Sequence, residues 1–201
     1  MGRPPTKKQQ THKRMLDAAS QSFRSKGYAG VGVDGIAKAA GVTSGAFYAH
    51  FGSKDGAFSA ALDAGLDEVI EALPKLQKEA GSGWVQVFVD YYIGRAHREN
   101  LACGCAMTTL SPEVVRAGPE MHAAYEAKMK KIAELVAYGL KGSSRDECRS
   151  RAWAMLGILI GGLTMARAVK TRKATEEIAS SIRIAAMNLA GNARQIPDDM
   201  S

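Results

Sequence analysis

The stretch GVDGIAKAAGVTSGAFYAHF occupies residues 32–51. Val33, Ile36, Ala37 and Ala40 repeat at i, i+3, i+4 and i+7, the spacing of one face of a short helix. Gly41 supplies its stop. Thr43 or Ser44 is placed to cap a second helix that runs to about His50. Phe47 and Phe51 lie four apart, on one side of that helix. Two short helices joined at a glycine form a helix-turn-helix, and Ala37, Ala40 and Val42 are small enough to let them cross closely.

Upstream, Met15, Leu16, Ala19 and Phe23 form a helical stripe before the stop at Lys26-Gly27. Residues 1–8 read as a flexible basic arm. Ser53 caps a fourth helix that carries Phe58, Leu62, Leu66, Val69 and Leu73 until Pro74 bends or ends it. Further helices are expected over 83–99, over 103–110 with a stop near Pro112, from Pro119 to about Lys141, from a Ser144 cap to about Lys173, and after a Thr175 cap. No segment alternates like a strand. The chain reads as all-α, about nine helices: the arm, a helix-turn-helix domain over 9–55, and a helical sensing and dimerisation domain over 56–201.

Charge separates these parts. The chain carries 27 Lys and Arg against 20 Asp and Glu. Residues 1–60 hold nine basic and three acidic residues (9 − 3 = +6), so the remaining 141 carry 18 − 17 = +1. An excess concentrated in the first third fits a polyanionic partner, nucleic acid or membrane surface; a solvated basic face is the plainer alternative. If the second helix enters a DNA major groove, it needs a low face of short, uncharged residues. Thr43, Ser44, Gly45, Ala46, Tyr48 and His50 supply one, with Gly32 ahead of the preceding helix. Tyr48 can donate to a phosphate, and Lys54 opens the next helix where its charge and the free N–H groups meet one.

The strings FRSKGY (23–28), IAKAAGVTSGAFYAHF (36–51) and SKD (53–55) resemble the TetR family of transcriptional regulators. The resemblance covers about residues 11–60. It implies that the helix from Thr43 to His50 is the recognition helix, that Tyr48 and Lys54 touch phosphates, and that the last two helices, about 145–193, pair with their copies in a homodimer. The implied partners are a double-stranded DNA operator, palindromic and read by two heads, and a small-molecule effector; the implied role is a ligand-responsive repressor in the cytoplasm. Two departures stand out. The family often has Thr or Ser where this chain has Val31 and Gly32, so Gly32 must cap the helix that carries Val33, Ile36, Ala37 and Ala40, and Gly35 sits inside it. Both soften that helix.

The dimer expectation has independent support, because residues 152–166 (AWAMLGILIGGLTMA) are apolar all round and need burial on every side. A core helix within one subunit satisfies the same need. Trp84, Phe88, Tyr91, Tyr92, Met107, Met121, Tyr125, Met129 and Trp153 are candidates to line an apolar ligand pocket, or simply core. His97, His122 and Arg95 are candidate polar contacts there.

Other classes find little. Gly30, Gly32 and Gly35 fit G-x-G-x-x-G, with Asp55 about twenty residues on, but no buried strand precedes them, so a dinucleotide site is not expected. Cys103, Cys105 and Cys148 are an odd count with no C-x-x-C pair, which argues against a disulfide framework and a tetrahedral zinc site; they read as reduced thiols, with Cys103 and Cys105 the candidates for sensing oxidants. No signal peptide and no bilayer-spanning run is expected, and no cofactor or metal site. No Ser-His-acid set or carboxylate pair suggests an enzyme.

Overall fold

A computed structural model describes residues 6–191 apart from Cys103. Eleven α-helices and one 3₁₀ turn, with no extended strand, make up the described chain. They are α1 (Lys7–Lys26), α2 (Val33–Ala39), α3 (Ser44–Phe51), α4 (Lys54–Ala80), α5 (Trp84–Tyr92), α6 (Arg95–Glu99), α7 (Ala106–Thr109), α8 (Ser111–Val114), α9 (Pro119–Gly139), α10 (Arg145–Ala168) and α11 (Arg172–Ala190). The chain divides into two compact units. One runs to Gly65 and takes in Leu101–His122; the other comprises Leu66–Asn100 and the chain from Ala123 onward. Sequence pattern alone places a boundary near residue 55 and assigns 101–122 to the C-terminal part.

The first unit is built on three helices whose apolar faces converge. Met15, Ala19 and Phe23 of α1, Ile36 and Ala37 of α2, and Phe47 of α3 are buried. Phe58 of α4 meets Phe23 edge-on at 5.3 Å between ring centres. Segment 101–122 closes on this bundle. Gly65 of α4 approaches it so closely that a Cβ there would lie 2.6 Å from the Ala106 Cβ. The Tyr28 N–H donates to the Glu113 carboxylate at 3.2 Å.

In the second unit, Trp84 of α5 is fully buried and donates its indole N–H to the Gly139 carbonyl at 3.1 Å. Gln77, at the end of α4, donates to the Leu135 carbonyl at 2.8 Å. α10 and α11 pack along their lengths. Gly162 is the contact that permits this, since a Cβ there would stand 2.5 Å from the Ile182 side chain. Arg151 ties their far ends together by donating to the carbonyls of Leu189, Ala190 and Lys141.

Several boundaries differ from expectation. Thr6 caps α1 in a full capping box with Gln9, so Lys7 and Lys8 are helical rather than part of an arm, and residues 1–5 lie outside the described residues. Pro74 does not end α4: it removes one N–H, but Leu73 and Gln77 on either side are buried, and packing carries the helix on to Ala80. The helix expected over 83–99 breaks at Gly94 into α5 and α6. Pro112 does not stop a helix but sits in the first turn of α8, where its missing N–H costs nothing. These two changes account for eleven helices rather than nine. α10 stops at Ala168, and Thr171 rather than Thr175 caps α11, its hydroxyl accepting from the Ala174 N–H at 3.2 Å.

Candidate DNA-reading surface

The turn before α3 is set by one backbone requirement. Gly41 adopts φ +66°, a conformation that other residues reach only with strain. The Val42 N–H then closes onto the Ala37 carbonyl at 3.0 Å. Thr43 caps α3, its hydroxyl accepting from the Ala46 N–H at 3.2 Å. Phe47 is fully buried and packs at a tilt against Phe51, with ring centres 5.2 Å apart. Pinning that side fixes which residues face away.

The outward residues are Gly45, Tyr48, Ala49 and Gly52, at i, i+3, i+4 and i+7. Tyr48 is 52% exposed. Thr43 is exposed, while Ser44, Ala46 and His50 are half-buried at the margins. Ser44 is engaged on its own unit, its hydroxyl donating to Asp34 at 2.5 Å, which fastens the start of α3 to α2. Ala49 is the residue the sequence reading passes over. The Phe47 and Phe51 pair gives the signal that finds it, since the face opposite those rings runs through 45, 48, 49 and 52. Gly32 is exposed and caps α2 without a side chain; a Cβ there would meet nothing within 4 Å.

Ser53 caps α4, its hydroxyl accepting from the Gly56 N–H at 3.0 Å. Lys54 therefore sits in the first turn, beside free N–H groups and the positive end of the helix dipole. Its ammonium lies 4.2 Å from the centre of the Tyr28 ring. The Tyr28 hydroxyl donates to Asp55 at 2.5 Å. That bond, with burial and the Asp55 charge behind it, pushes the phenol up to about 12. Tyr28 thus stays a neutral platform that steadies Lys54 by cation–π attraction. The surface so formed is a shallow, uncharged ridge with a lysine at one end. It can approach base edges and phosphates, and no proton-transfer or nucleophilic chemistry is set up within it.

The residues singled out for a ligand pocket divide between the two units. Met107 is buried in the first unit, where Met121 is half-buried. In the second unit Trp84, Phe88, Tyr92 and Met129 are buried, Tyr125 is half-buried, and Tyr91 and Trp153 are exposed, 66% and 38%. Tyr91 lies on His97 with ring centres 4.5 Å apart. His97 is itself buried against the Tyr92 carbonyl, Arg95 pairs with Glu99, and His122 is exposed. A cavity of about 780 Å³ does occur in the second unit, but it lies between α9 and the start of α10, lined by Lys131, Glu134, Tyr138, Arg145, Cys148 and Arg149 among others. None of the nine candidates borders it. Its rim is charged, unlike the apolar pocket expected. Of the two cysteines considered as sensors, Cys105 is half-buried ahead of α7, and Cys103 lies outside the described residues.

Comparison with known proteins now adds to this geometry. Residues 15–61 match the family described as bacterial regulatory proteins, tetR family. The chain is similar to the HTH-type transcriptional repressor NemR of Escherichia coli K12, 23% identical over 141 residues that span 69% of this chain and 71% of that protein. In fold it is similar to a crystal structure of E. coli NemR in its reduced form (TM-score 0.73, 19% identity, 90% of this chain and 97% of that one). It is also similar to a TetR-family transcriptional regulator from Cytophaga hutchinsonii (TM-score 0.76, 15% identity, 98% and 100%). No helix among the described residues is long and apolar enough to cross a membrane.

Proposed function

We propose that this chain, whose residues 15–61 match the tetR family of bacterial regulatory proteins, is a cytoplasmic repressor that binds a palindromic operator as a homodimer and is released by a small, largely apolar effector. The observation that carries the DNA part is the exposed, uncharged face of α3, bounded by Tyr48 and by Lys54 at the start of α4. A face of that height lets backbone and hydroxyls approach base edges, while Tyr48 and Lys54 hold phosphates. Thr43, Ser44, Gly45, Ala46 and His50 contribute to the same surface, and Gly32 places the N–H groups of α2 at its edge.

The dimer part rests on α10. Its exposed stripe runs Trp153, Ala154, Gly157, Gly161, Thr164, Met165 and Ala168, none of them charged. Met165 is 51% exposed, and Ile184 on α11 is 57% exposed. A Cβ on Gly157 or Gly161 would meet nothing within 4 Å, so these glycines serve no packing within the chain. A second copy laid along the stripe buries it and brings the two backbones close. Two heads one DNA turn apart, about 34–36 Å, then read two half-sites.

The effector part rests on the aromatic content of the second unit. Trp84, Phe88 and Tyr92 line one side of α5 with ring centres 6.2 and 5.8 Å apart. A ligand that opens this cluster shifts the protein only by its differential affinity for two states, and moving a 1:99 balance to 99:1 takes about 5.5 kcal/mol. α4 starts in the DNA-reading unit and ends in the other, so it is the element through which such a shift is passed. Selection from a random pool of duplex DNA tests the reading. The expected product is an inverted repeat bound two chains to a site, with affinity falling steeply with salt. Recovery of no common sequence, or of a single half-site bound by one chain, refutes it.

A further inference from the structure

α1 and α3 meet a second time, away from their shared core, through two histidines thirty-eight residues apart. The Nδ1 atoms of His12 and His50 stand 3.3 Å from each other, and the ring centres 5.4 Å. The difference, 5.4 − 3.3 = 2.1 Å, means that the rings meet nitrogen edge first rather than face to face. Phe51 backs the His12 ring, with centres 5.4 Å apart, so the pair is held from the protein side. His12 is exposed and His50 half-buried, which leaves the outer side open to water.

A separation of 3.3 Å is long for a hydrogen bond between ring nitrogens. It is the separation that two nitrogens adopt on one tetrahedral zinc ion. Two Zn–N bonds of about 2.0–2.1 Å at a tetrahedral angle place their nitrogens roughly 3.3–3.4 Å apart. The right-angled geometry favoured by Cu²⁺ brings nitrogens on similar bonds to within about 3 Å. We propose that His12 and His50 form a two-histidine clasp for Zn²⁺, completed by solvent, that joins the first helix to the recognition helix. No group of three or more His, Cys, Asp or Glu side chains positioned to hold a metal occurs among the described residues. The remaining two positions on the ion are therefore open to water or to an oxygen ligand such as a phosphate.

The clasp has a structural consequence. α3 is only eight residues long and is held chiefly by Phe47 and Phe51. An ion bridging His50 to α1 fixes its last turn as well.

Calorimetric titration of the full chain with Zn²⁺ alone, without DNA, tests the proposal independently of operator binding. The expected result is one Zn²⁺ per chain. His12→Gln and His50→Gln should each weaken binding at least about 10-fold, since loss of an outer-shell partner alone costs roughly 10–100-fold in metal sites. His122→Gln on α9 should leave it intact. Both clasp histidines have solvent access, and circular dichroism confirms that the variants stay folded. Wild-type protein that takes up no Zn²⁺ below roughly 1 mM, or either clasp variant binding as tightly as wild type, overturns the proposal.

Discussion

Gly161 gives the sharpest test of the proposed dimer, because its neighbour supplies the contrast. The perturbation is Gly161→Leu. Within the chain a Cβ at 161 meets nothing within 4 Å, and replacing a helical glycine by a good helix former gains about 0.5–1 kcal/mol. The fold of the single chain is therefore expected to be as stable as wild type or slightly more so. Across a two-fold interface the same leucine enters twice, once from each protomer, into a contact made for hydrogen atoms. At about 1–3 kcal/mol for each overpacked site, the pair costs roughly 2–6 kcal/mol. That corresponds to a rise in the dimer dissociation constant of about 30-fold at the low end and more than 10⁴-fold at the high end. Sedimentation velocity over a dilution series reads the association, and urea unfolding of the same samples reads the fold. An unchanged dimer constant with an intact fold removes α10 from the interface. Loss of folding with no change in association shows that the space around Gly161 is not free within one chain, and the geometric argument then fails.

Other outcomes follow from local geometry. Gly162→Ala, one residue along, should do the reverse of a change at 161: its methyl group runs into Ile182 and lowers the unfolding free energy by about 1–3 kcal/mol. Gly35→Ala in α2, whose new methyl would meet only Val31 at an ordinary 3.5 Å, should raise stability by about 0.5–1 kcal/mol in thermal melts; a loss denies that α2 is soft. Tyr48→Ala and Lys54→Ala should weaken binding to all duplexes alike, Lys54→Ala lowering the salt slope by about 1, whereas Ser44→Ala or Ala46→Leu should alter which bases are preferred; an unchanged affinity for the first pair means that α3 is oriented differently. Tyr28, raised to about 12 chiefly by its hydrogen bond to Asp55, contributes stability that is present below pH about 10 and is lost as pH rises through the folded value. In a phenolate absorbance titration, Tyr28→Phe should reduce the late-ionising phase by one phenol.

The helix-turn-helix was legible because its signals are local. Gly41, Thr43 and the Phe47–Phe51 pair each fix a backbone or packing feature within a few residues, and the structure places a positive φ, a cap and a buried ring at those positions. The capping of α10 by Ser144 is of the same kind. What the sequence hid was non-local. Pro74 reads as a stop because its own chemistry disfavours helix, whereas Leu73 and Gln77, held by the second unit, carry α4 onward. Residues 101–122 read as part of the C-terminal domain because they follow it in order. Their attachment to the first unit depends on Glu113 meeting the backbone of Tyr28, eighty-five residues away. The pocket candidates divide between the two units for the complementary reason: periodicity marks aromatic and methionine residues as inward-facing but does not tell which of them share a neighbourhood, as Trp84, Phe88 and Tyr92 do along one helix. The His12–His50 pair has no local signature, since nothing in the sequence relates α1 to the end of α3.

α2 shows how the reading helix keeps its place although its support is intrinsically weak. It has seven residues, a glycine cap without a side-chain bond and a glycine in its interior, so propensity alone does not hold it in water. Its order comes from outside: Ile36 and Ala37 are buried, and Asp34 accepts the hydroxyl of Ser44 from α3. α3 in turn is anchored by Phe47 and by its Thr43 cap. The two helices thus stabilise each other more than either stabilises itself, and a change at the Asp34–Ser44 bond reaches the DNA-facing surface without touching it. Stiffening α2 by Gly35→Ala therefore tests more than helix stability. If α3 depends on its contacts with α2, operator affinity rises with the stability of α2; if α3 is held by Phe47 alone, the melt shifts and the affinity does not.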